Sequence, residues 1–204
     1  MLNSNQKSAR VEKRNRIIEA SISVFADHGY HSARVSDIAK LAGVADGTIY
    51  LYFKNKEDLL LSIFEEKMDE LIQATQMELN KVERGLEQIR VFAQQHFIQV
   101  QKFPKVAQVL QVELRQSQKF IREYRPEKLW EYLSLLRNAI KKGQNQGDIG
   151  PEFDPFLLQW TLFGALDEMS IQWILSKRRD RFNLDEAASQ ISRVFINGLS
   201  NQSQ

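Results

Sequence analysis

Cysteine and long apolar runs are missing from this chain of 204 residues. The lack of cysteine excludes disulfide bonds, thiolate zinc sites and cysteine nucleophiles. No apolar run approaches the roughly 20 residues that a helix needs to cross a bilayer. The first residues, MLNSNQKSARVEKR, are polar and basic, and they do not resemble a secretory signal. We therefore expect a cytoplasmic protein that does not enter a membrane.

The residues and motifs of enzymatic chemistry are also scarce. Of the three histidines, His28 and His31 flank a predicted turn and His96 is isolated, so they make a poor metal site. The sequence contains no Gly-rich phosphate loop and no nucleophile motif. We therefore predict that the chain is not an enzyme and carries no metal or cofactor.

Strand-like alternation of useful length is absent, and all four prolines lie beyond residue 100. Several glycines fall where helical patterns stop, as expected for helix ends. The pattern predicts an all-α fold with a loop from Lys142 to Pro155. Helices are expected at about 10–27, 36–42, 46–53, 56–80, 86–102, 104–117, 119–146, 154–177 and 184–200.

The stretch from Val35 to Glu57 reads VSDIAKLAGVADGTIYLYFKNKE. Two short helical patterns flank Gly43, and a cluster of Tyr, Phe and Lys follows the second. This is the layout of a helix-turn-helix, whose second helix enters the major groove of DNA. Ser36 is expected to cap the first of these helices with its hydroxyl.

Charge is unevenly distributed along the chain. The net charge is +2, but residues 1–56 carry four more Lys/Arg than Asp/Glu, and the remainder carries two more acidic than basic residues. A basic N-terminal part suits contact with phosphates. We predict a DNA-binding domain at 1–55 and a ligand-binding and dimerisation domain at 56–204, joined by a long helix that begins at Lys56.

The phrases VSDIAKLA and GVADGTIYLYFKNKEDLL, preceded by a helix that ends FADHGY, resemble the TetR family of bacterial repressors. The resemblance covers about residues 10–65. It implies an all-helical homodimer in which an N-terminal helix-turn-helix domain binds double-stranded operator DNA. A two-fold dimer in turn requires a nearly palindromic operator.

In such a motif, residues near the N-terminus of the second helix meet base edges, and flanking side chains meet phosphates. Thr48 can place its hydroxyl on a base or a phosphate, and Gly47 lets the backbone approach the duplex. The resemblance implies that Tyr50 and Tyr52 contact the sugar-phosphate backbone. The predicted DNA-binding residues are Ser36, Ala45, Asp46, Gly47, Thr48, Tyr50, Leu51, Tyr52, Lys54 and Lys56.

Asp46 stands where many members of this family carry Lys. Its carboxylate can accept a hydrogen bond from a cytosine amino group, or it can act as the N-cap of the second helix. The sequence leaves both roles open.

Two phrases in the second half of the chain, VELRQS and LFGALDEMSIQWIL, extend the resemblance. They are similar to family members that repress fatty-acid degradation in Bacillus-type bacteria. It implies long-chain acyl-CoA as the effector that releases the repressor from DNA. A different hydrophobic effector, such as a drug or a signal molecule, is the alternative.

The candidate effector contacts are side chains that a plain helical core would also contain. Arg115 is the polar candidate; it could meet a thioester, phosphate or carboxylate, or form an internal salt bridge with Glu113, Asp167 or Glu168. The predicted effector-binding residues are Phe97, Val100, Val109, Leu110, Leu114, Arg115, Leu133, Trp160, Phe163 and Gly164.

Apolar and small residues repeat along the last two predicted helices, including Trp160, Ile171, Val194 and Gly198. Two such helices from each subunit could form an intersubunit four-helix bundle with two-fold symmetry. Part of this pattern could equally belong to the core of a single chain.

Overall fold

The computed structural model describes residues 4–117, 120, 122–176 and 183–199. The α-helix Pro104–Gln108 continues into a π-helical turn, Val109–Glu113, and a 3-10 turn, Leu114–Gln116. The prediction of an all-α fold is confirmed. The helices are α1 Ser4–His28, α2 Val35–Ala42, α3 Asp46–Ile49, α4 Lys56–Leu79, α5 Gly85–Lys102, α6 Pro104–Gln108, α7 Glu127–Asn145, α8 Pro155–Leu175 and α9 Leu184–Leu199.

Several predicted helix boundaries differ from the structure. Helix α1 begins at Ser4, before the expected start near residue 10. The helix expected over 119–146 is interrupted: Phe120 and Arg122 are helical, residues 124–126 are not, and α7 begins at Glu127, because Pro126 lacks the N–H that a helix interior requires. The helix expected over 104–117 is broken into three kinds of turn, whose hydrogen-bond spacing changes at Val109 and Leu114. The predicted ends at Lys177 and Ser200 lie outside the described residues.

The predicted loop also starts later than expected, because α7 runs through Gly143 to Asn145. Gly143 serves the contact between α5 and α7 rather than a turn. A Cβ atom on Gly85 would lie 2.2 Å from the Gly143 backbone nitrogen, so the two backbones approach too closely for any side chain at Gly85.

The chain divides into two compact units. Unit 1 comprises Met1–Lys67 and Gln108–Arg125, and unit 2 comprises Met68–Ala107 and Pro126–Gln204. Helix α4 supplies residues to both units. The boundary predicted between residues 55 and 56, which separates a DNA-binding domain from a ligand-binding and dimerisation domain, stays a prediction. Among the described residues, no helix has the length and apolar character that crossing a membrane requires.

The core of unit 1 is formed by the apolar faces of α1, α2, α3 and the first half of α4. Ile18 of α1, Ile38 of α2 and Leu60 of α4 are fully buried. Burial of each such side chain contributes roughly 1.5–3 kcal/mol, which holds short helices that would not be stable alone. Phe64 of α4 also packs edge-on against Tyr124 of the second segment.

Helices α5, α7, α8 and α9 pack together in unit 2. The core between them is rich in aromatic residues, and Phe92 and Tyr132 lie with ring centroids 4.8 Å apart. Leu136 of α7 and Leu166 of α8 are fully buried. This core encloses part of the predicted effector set.

Candidate functional site

The turn between α2 and α3 depends on Gly43. Its φ of 66° and ψ of 41° lie in the left-handed region, where a residue with a Cβ is strained. The Val44 amide donates to the Ala39 carbonyl at 3.0 Å and closes the end of α2. The structure thus places α2 and α3 as the two helices of the predicted helix-turn-helix.

The predicted capping role of Ser36 was wrong. Helix α2 begins at Val35, its N-cap residue is Arg34, and no side chain caps it. Ser36 therefore lies inside the first turn with an exposed side chain. Its hydroxyl is not committed to the helix end and remains able to meet a ligand.

The second helix of the motif is shorter than predicted. Helix α3 ends at Ile49, and the amides of Leu51 and Tyr52 donate to carbonyls three residues back. Aromatic residues at 50 and 52 favour this tightening because they lose rotamer freedom in an α-helix. The N-cap residue is Ala45, so the N-cap role considered for Asp46 was also wrong.

Most of the predicted DNA contacts form an exposed surface. Leu51 is 73% exposed and Tyr50 is 56% exposed, so both side chains are accessible to a ligand. Thr48, Tyr52 and Lys56 are half-buried. The exposed members are Ser36, Ala45, Asp46, Gly47, Tyr50, Leu51 and Lys54.

Lys56 has a role that the sequence did not indicate. Its ammonium donates to the carbonyls of Tyr30, His31 and Ala33 at 2.7, 3.1 and 3.1 Å, which uses all three of its N–H groups. The same nitrogen lies 4.7 Å from the centre of the Tyr30 ring. Partial burial lowers the pKa of Lys56. Its side chain therefore secures the segment between α1 and α2, and only its backbone is left to face a phosphate.

The start of α4 is capped by a neighbour of Lys56. The Asn55 side chain accepts from the Asp58 amide at 2.8 Å, and the Asp58 carboxylate accepts from the Lys54 amide at 2.9 Å. This reciprocal pair holds Lys54 in place at the helix end, with its side chain in solvent. Asn is a preferred N-cap residue, so its position just before the helix is the signal by which this cap could have been predicted from the sequence.

The N-terminal half of α1 adds two arginines to the same unit. The Arg10 guanidinium lies 5.8 Å from the centre of the Tyr52 ring, and that of Arg14 lies 5.5 Å from the Phe53 ring. Arg14 also forms an ion pair with Glu66. These contacts place positive charge beside the aromatic residues that follow α3.

The segment from Gln108 to Ser117 joins unit 1 through side-chain hydrogen bonds. The Gln108 amide donates to the Ala26 carbonyl at 2.7 Å, and the Ser117 hydroxyl donates to Glu57 at 2.7 Å. Between them, the buried Glu113 carboxylate accepts from the Tyr30 amide at 2.7 Å. The segment therefore contacts both the end of α1 and the start of α4.

The predicted effector residues are divided between the two units. Val109, Leu110, Leu114 and Arg115 belong to this segment of unit 1. Val109 and Leu114 are buried, Leu110 is half-buried and Arg115 is exposed. Glu113, one of the salt-bridge partners considered for Arg115, directs its carboxylate to Tyr30 instead.

The remaining effector candidates lie in unit 2. They range from fully buried to exposed: Phe97, Val100 and Leu133 are buried, Phe163 is half-buried, and Trp160 and Gly164 are exposed. The rings of Trp160 and Phe163 meet edge-on with centroids 6.1 Å apart. They lead from the surface of α8 into the aromatic core.

Two helices of unit 2 expose large apolar side chains. On α8, Phe156 is 51% and Leu157 is 62% exposed, and on α9, Val194 is 73% exposed. Exposed apolar side chains that lie together commonly mark a protein interface. These helices are the two that the sequence pattern predicted as the dimer surface.

Comparison with known proteins agrees with this arrangement. The sequence-family model for bacterial regulatory proteins of the tetR family matches residues 17–63. The family model for the C-terminal region of YsiA-like proteins matches residues 64–198. The chain belongs to the TetR family. Regulators of this family bind DNA as dimers, so this protein is a DNA-binding regulator of transcription and not an enzyme.

Individual relatives match almost the whole chain. The fatty acid metabolism regulator protein of Bacillus subtilis (strain 168) is 36% identical over 186 residues, which cover 91% of this chain and 95% of the relative. The structure of the fatty acid degradation regulator FadR from Bacillus halodurans is 38% identical, with a TM-score of 0.80, and the match covers 91% of this chain and 98% of that one.

A second solved structure is that of the transcriptional regulator FadR from Bacillus subtilis in complex with stearoyl-CoA. It is 36% identical to this TetR-family chain, with a TM-score of 0.83, and the match covers 90% of this chain and 98% of that one. The similarity thus includes both units rather than the helix-turn-helix alone.

Proposed function

We propose that this protein represses genes of fatty-acid degradation and is released from its operator by long-chain acyl-CoA. The observation that carries the proposal is the similarity, over about nine-tenths of the chain, to a regulator whose structure holds stearoyl-CoA. As a regulator of transcription it acts where the chromosome lies, in the cytoplasm.

The DNA contact is proposed for the exposed surface around α3. Asp46, Gly47 and Thr48 meet base edges, while Tyr50 and Lys54 meet the backbone of the operator. Ser36, at the start of α2, binds a phosphate with its exposed hydroxyl. Asp46 is the first helical residue of α3, and its exposed carboxylate accepts from a cytosine amino group rather than capping the helix.

The homodimer is proposed to form through α8 and α9. Trp160, Leu157 and Val194 would be buried between subunits, in a bundle of four helices related by a two-fold axis. The operator is then a palindrome whose half-sites match the separation of the two α3 helices.

The acyl chain is proposed to bind among the aromatic side chains of unit 2. Each buried methylene contributes about 0.8 kcal/mol, so a sixteen-carbon tail offers on the order of 10 kcal/mol before ordering costs. Basic side chains at the surface bind the nucleotide phosphates, and the predicted role of Arg115 stays a prediction.

Release requires that acyl-CoA bind one state of the protein better than the DNA-bound state. Helix α4 contributes residues to both units, and its first turn holds Lys56 against the segment after α1. A displacement of the second half of α4 by ligand is therefore carried along the helix to the DNA-binding surface. In the dimer this changes the spacing of the two α3 helices.

Direct calorimetric titration tests the effector assignment. We expect stearoyl-CoA to bind the purified protein, with coenzyme A alone and a short acyl-CoA binding far more weakly. A lipophilic drug of similar size serves as the control for nonspecific hydrophobic binding. Absence of binding by any long-chain acyl-CoA, or equal binding of the drug, would reject acyl-CoA as the effector.

A further inference from the structure

A pair of polar side chains lies inside the aromatic core of unit 2. His96 of α5 is 5% exposed and Tyr132 of α7 is 1% exposed, and the Nδ1 atom of His96 is 3.2 Å from the Tyr132 hydroxyl. The ring of Phe163, on α8, meets the imidazole edge-on with centroids 6.0 Å apart. Polar groups are costly in such surroundings unless each of them has a partner.

Both groups are uncharged at neutral pH. Burial lowers the pKa of His96 to about 4, so the imidazole carries one N–H and one free lone pair. Burial raises the pKa of Tyr132. The phenol therefore keeps its proton.

The hydrogen bond between these two side chains assigns the histidine tautomer. The Tyr132 hydroxyl has one proton to donate, and among the described residues Nδ1 of His96 is the acceptor that lies within hydrogen-bond distance. Nδ1 accepts it, and the imidazole hydrogen is placed on Nε2.

This chain of donors stops at His96. Within the described part of the protein, Nε2 of His96 is buried without a hydrogen-bond partner, and so is Oε1 of Gln159. Gln159 is 3% exposed and lies one helical turn before Phe163 on α8, on the side of the helix that meets His96. A buried donor and a buried acceptor thus lie on facing helices, each unsatisfied.

Only a group that both accepts and donates can satisfy the two atoms together. A carbonyl oxygen would accept from His96 but leave Gln159 without a donor. A carboxylate would bring a charge that none of these neutral side chains balances. A hydroxyl accepts from Nε2–H and donates to Oε1.

We propose that unit 2 contains a site for a hydroxyl group on an aliphatic chain, formed by His96 Nε2 and Gln159 Oε1. Tyr132 acts as the positioning residue that holds the histidine tautomer. The inference rests on the proposed acyl-CoA effector, and it extends the effector class to hydroxylated acyl thioesters.

The test compares dissociation constants for hexadecanoyl-CoA and for hydroxyhexadecanoyl-CoA esters with the hydroxyl near the thioester, in mid-chain or at the far end. Titration calorimetry on the full-length protein should show about tenfold tighter binding of at least one hydroxylated ester. The measured quantity is the ratio of the two constants, so a general change in affinity cancels.

Two variants locate the preference. Gln159→Met removes the acceptor, and Tyr132→Phe removes the group that fixes the tautomer; each should bring the ratio to about one. Gln172→Met is the matched control, because Gln172 lies on the same helix with its amide bonded to Glu168 at the surface. It should leave the ratio as in the wild type.

The outcomes separate this inference from the proposed function. If hexadecanoyl-CoA binds and no hydroxylated ester is preferred, the hydroxyl site is rejected, a buried water fills it, and the acyl-CoA assignment stands. A preference that survives both Gln159→Met and Tyr132→Phe also rejects it. If no acyl-CoA of either kind binds, both proposals fail.

Discussion

The carboxylate of Glu113 accepts a hydrogen bond from the backbone amide of Tyr30 at 2.7 Å, although 83 residues separate them in the chain. Glu113 is 5% exposed and lies in the π-helical turn after α6. Tyr30 follows α1, next to the carbonyls that hold Lys56. One buried carboxylate thereby joins the middle of the sequence to the segment that supports the DNA-binding surface.

Replacing Glu113 should destabilise the protein by an amount that depends on whether the Tyr30 amide still has a hydrogen-bond acceptor. Glu113→Ala leaves that buried N–H without an acceptor, and we expect a loss of about 1–3 kcal/mol in the free energy of unfolding. Glu113→Gln keeps an oxygen in place and should lose less. Urea unfolding measures both, and a Glu113→Ala variant as stable as the wild type would show that the hydrogen bond contributes nothing.

Lys54 and Lys56 should respond differently to the same substitution. Lys56→Met removes a cation that donates to three carbonyls, and we expect the free energy of unfolding to fall by about 2 kcal/mol. Lys54→Met changes an exposed side chain and should alter stability by less than about 0.5 kcal/mol.

For operator binding, we expect the Lys54 side chain to matter more than the Lys56 side chain. Lys54→Met should weaken operator binding and reduce the slope of log affinity against log salt by about 0.9 for each phosphate that the variant no longer neutralises. The operator can be a duplex selected by the protein from a random pool. An unchanged salt slope in Lys54→Met would remove Lys54 from the DNA contacts.

Gly47→Ala tests whether the backbone of α3 lies close to the duplex. No atom lies within 4 Å of the position that a Cβ on Gly47 would occupy, so the variant should fold as stably as the wild type or better. In a complex with close backbone approach, the methyl group would meet DNA and affinity should fall at least tenfold. Anisotropy with labelled operator measures this, and unchanged affinity would place Gly47 away from the bases.

The buried residues of the helices were predictable from the sequence, but the contacts between distant segments of the chain were not. Helical spacing places Ile38, Ile49 and Phe53 on the inward faces of their helices, and all three are buried. The partners of Lys56 are backbone carbonyls 23 to 26 residues earlier, a relationship that no local pattern contains. The same is true of Glu113, whose charge suggested an ion pair rather than an amide partner.

The candidate site was predictable where its residues are consecutive. The proposed DNA-binding surface occupies one stretch of chain, so its members could be listed from the motif alone. The effector set was drawn from hydrophobic residues that any helical core contains, and the structure divides it between two units. The polar pair of His96 and Tyr132 was missed because neither residue belongs to a motif.

His96 should make stability depend on pH in a defined range. Its pKa is about 4 in the folded protein, against about 6.5 in an unfolded chain. Between these values the unfolded state binds more protons, so the free energy of unfolding falls as pH falls from about 6.5 to 4 and is unaffected by His96 above that range. The loss should approach about 3 kcal/mol at the acid end.

Urea unfolding of the wild type and of His96→Phe across this range isolates the effect. Other groups titrate in both proteins, and the difference between the two curves cancels them. The difference should grow as pH falls towards 4, with His96→Phe the less sensitive protein. Parallel curves would show that His96 does not stay neutral in the folded state.

Release of operator by acyl-CoA is the measurement that tests the central claim most directly. A preformed complex of the dimer with a labelled operator is titrated with stearoyl-CoA, and anisotropy reports the fraction of DNA bound. We predict that dissociation increases with added stearoyl-CoA and reaches a plateau once every protomer has bound ligand. Coenzyme A alone should cause no dissociation. Operator that stays fully bound at saturating stearoyl-CoA would contradict the account.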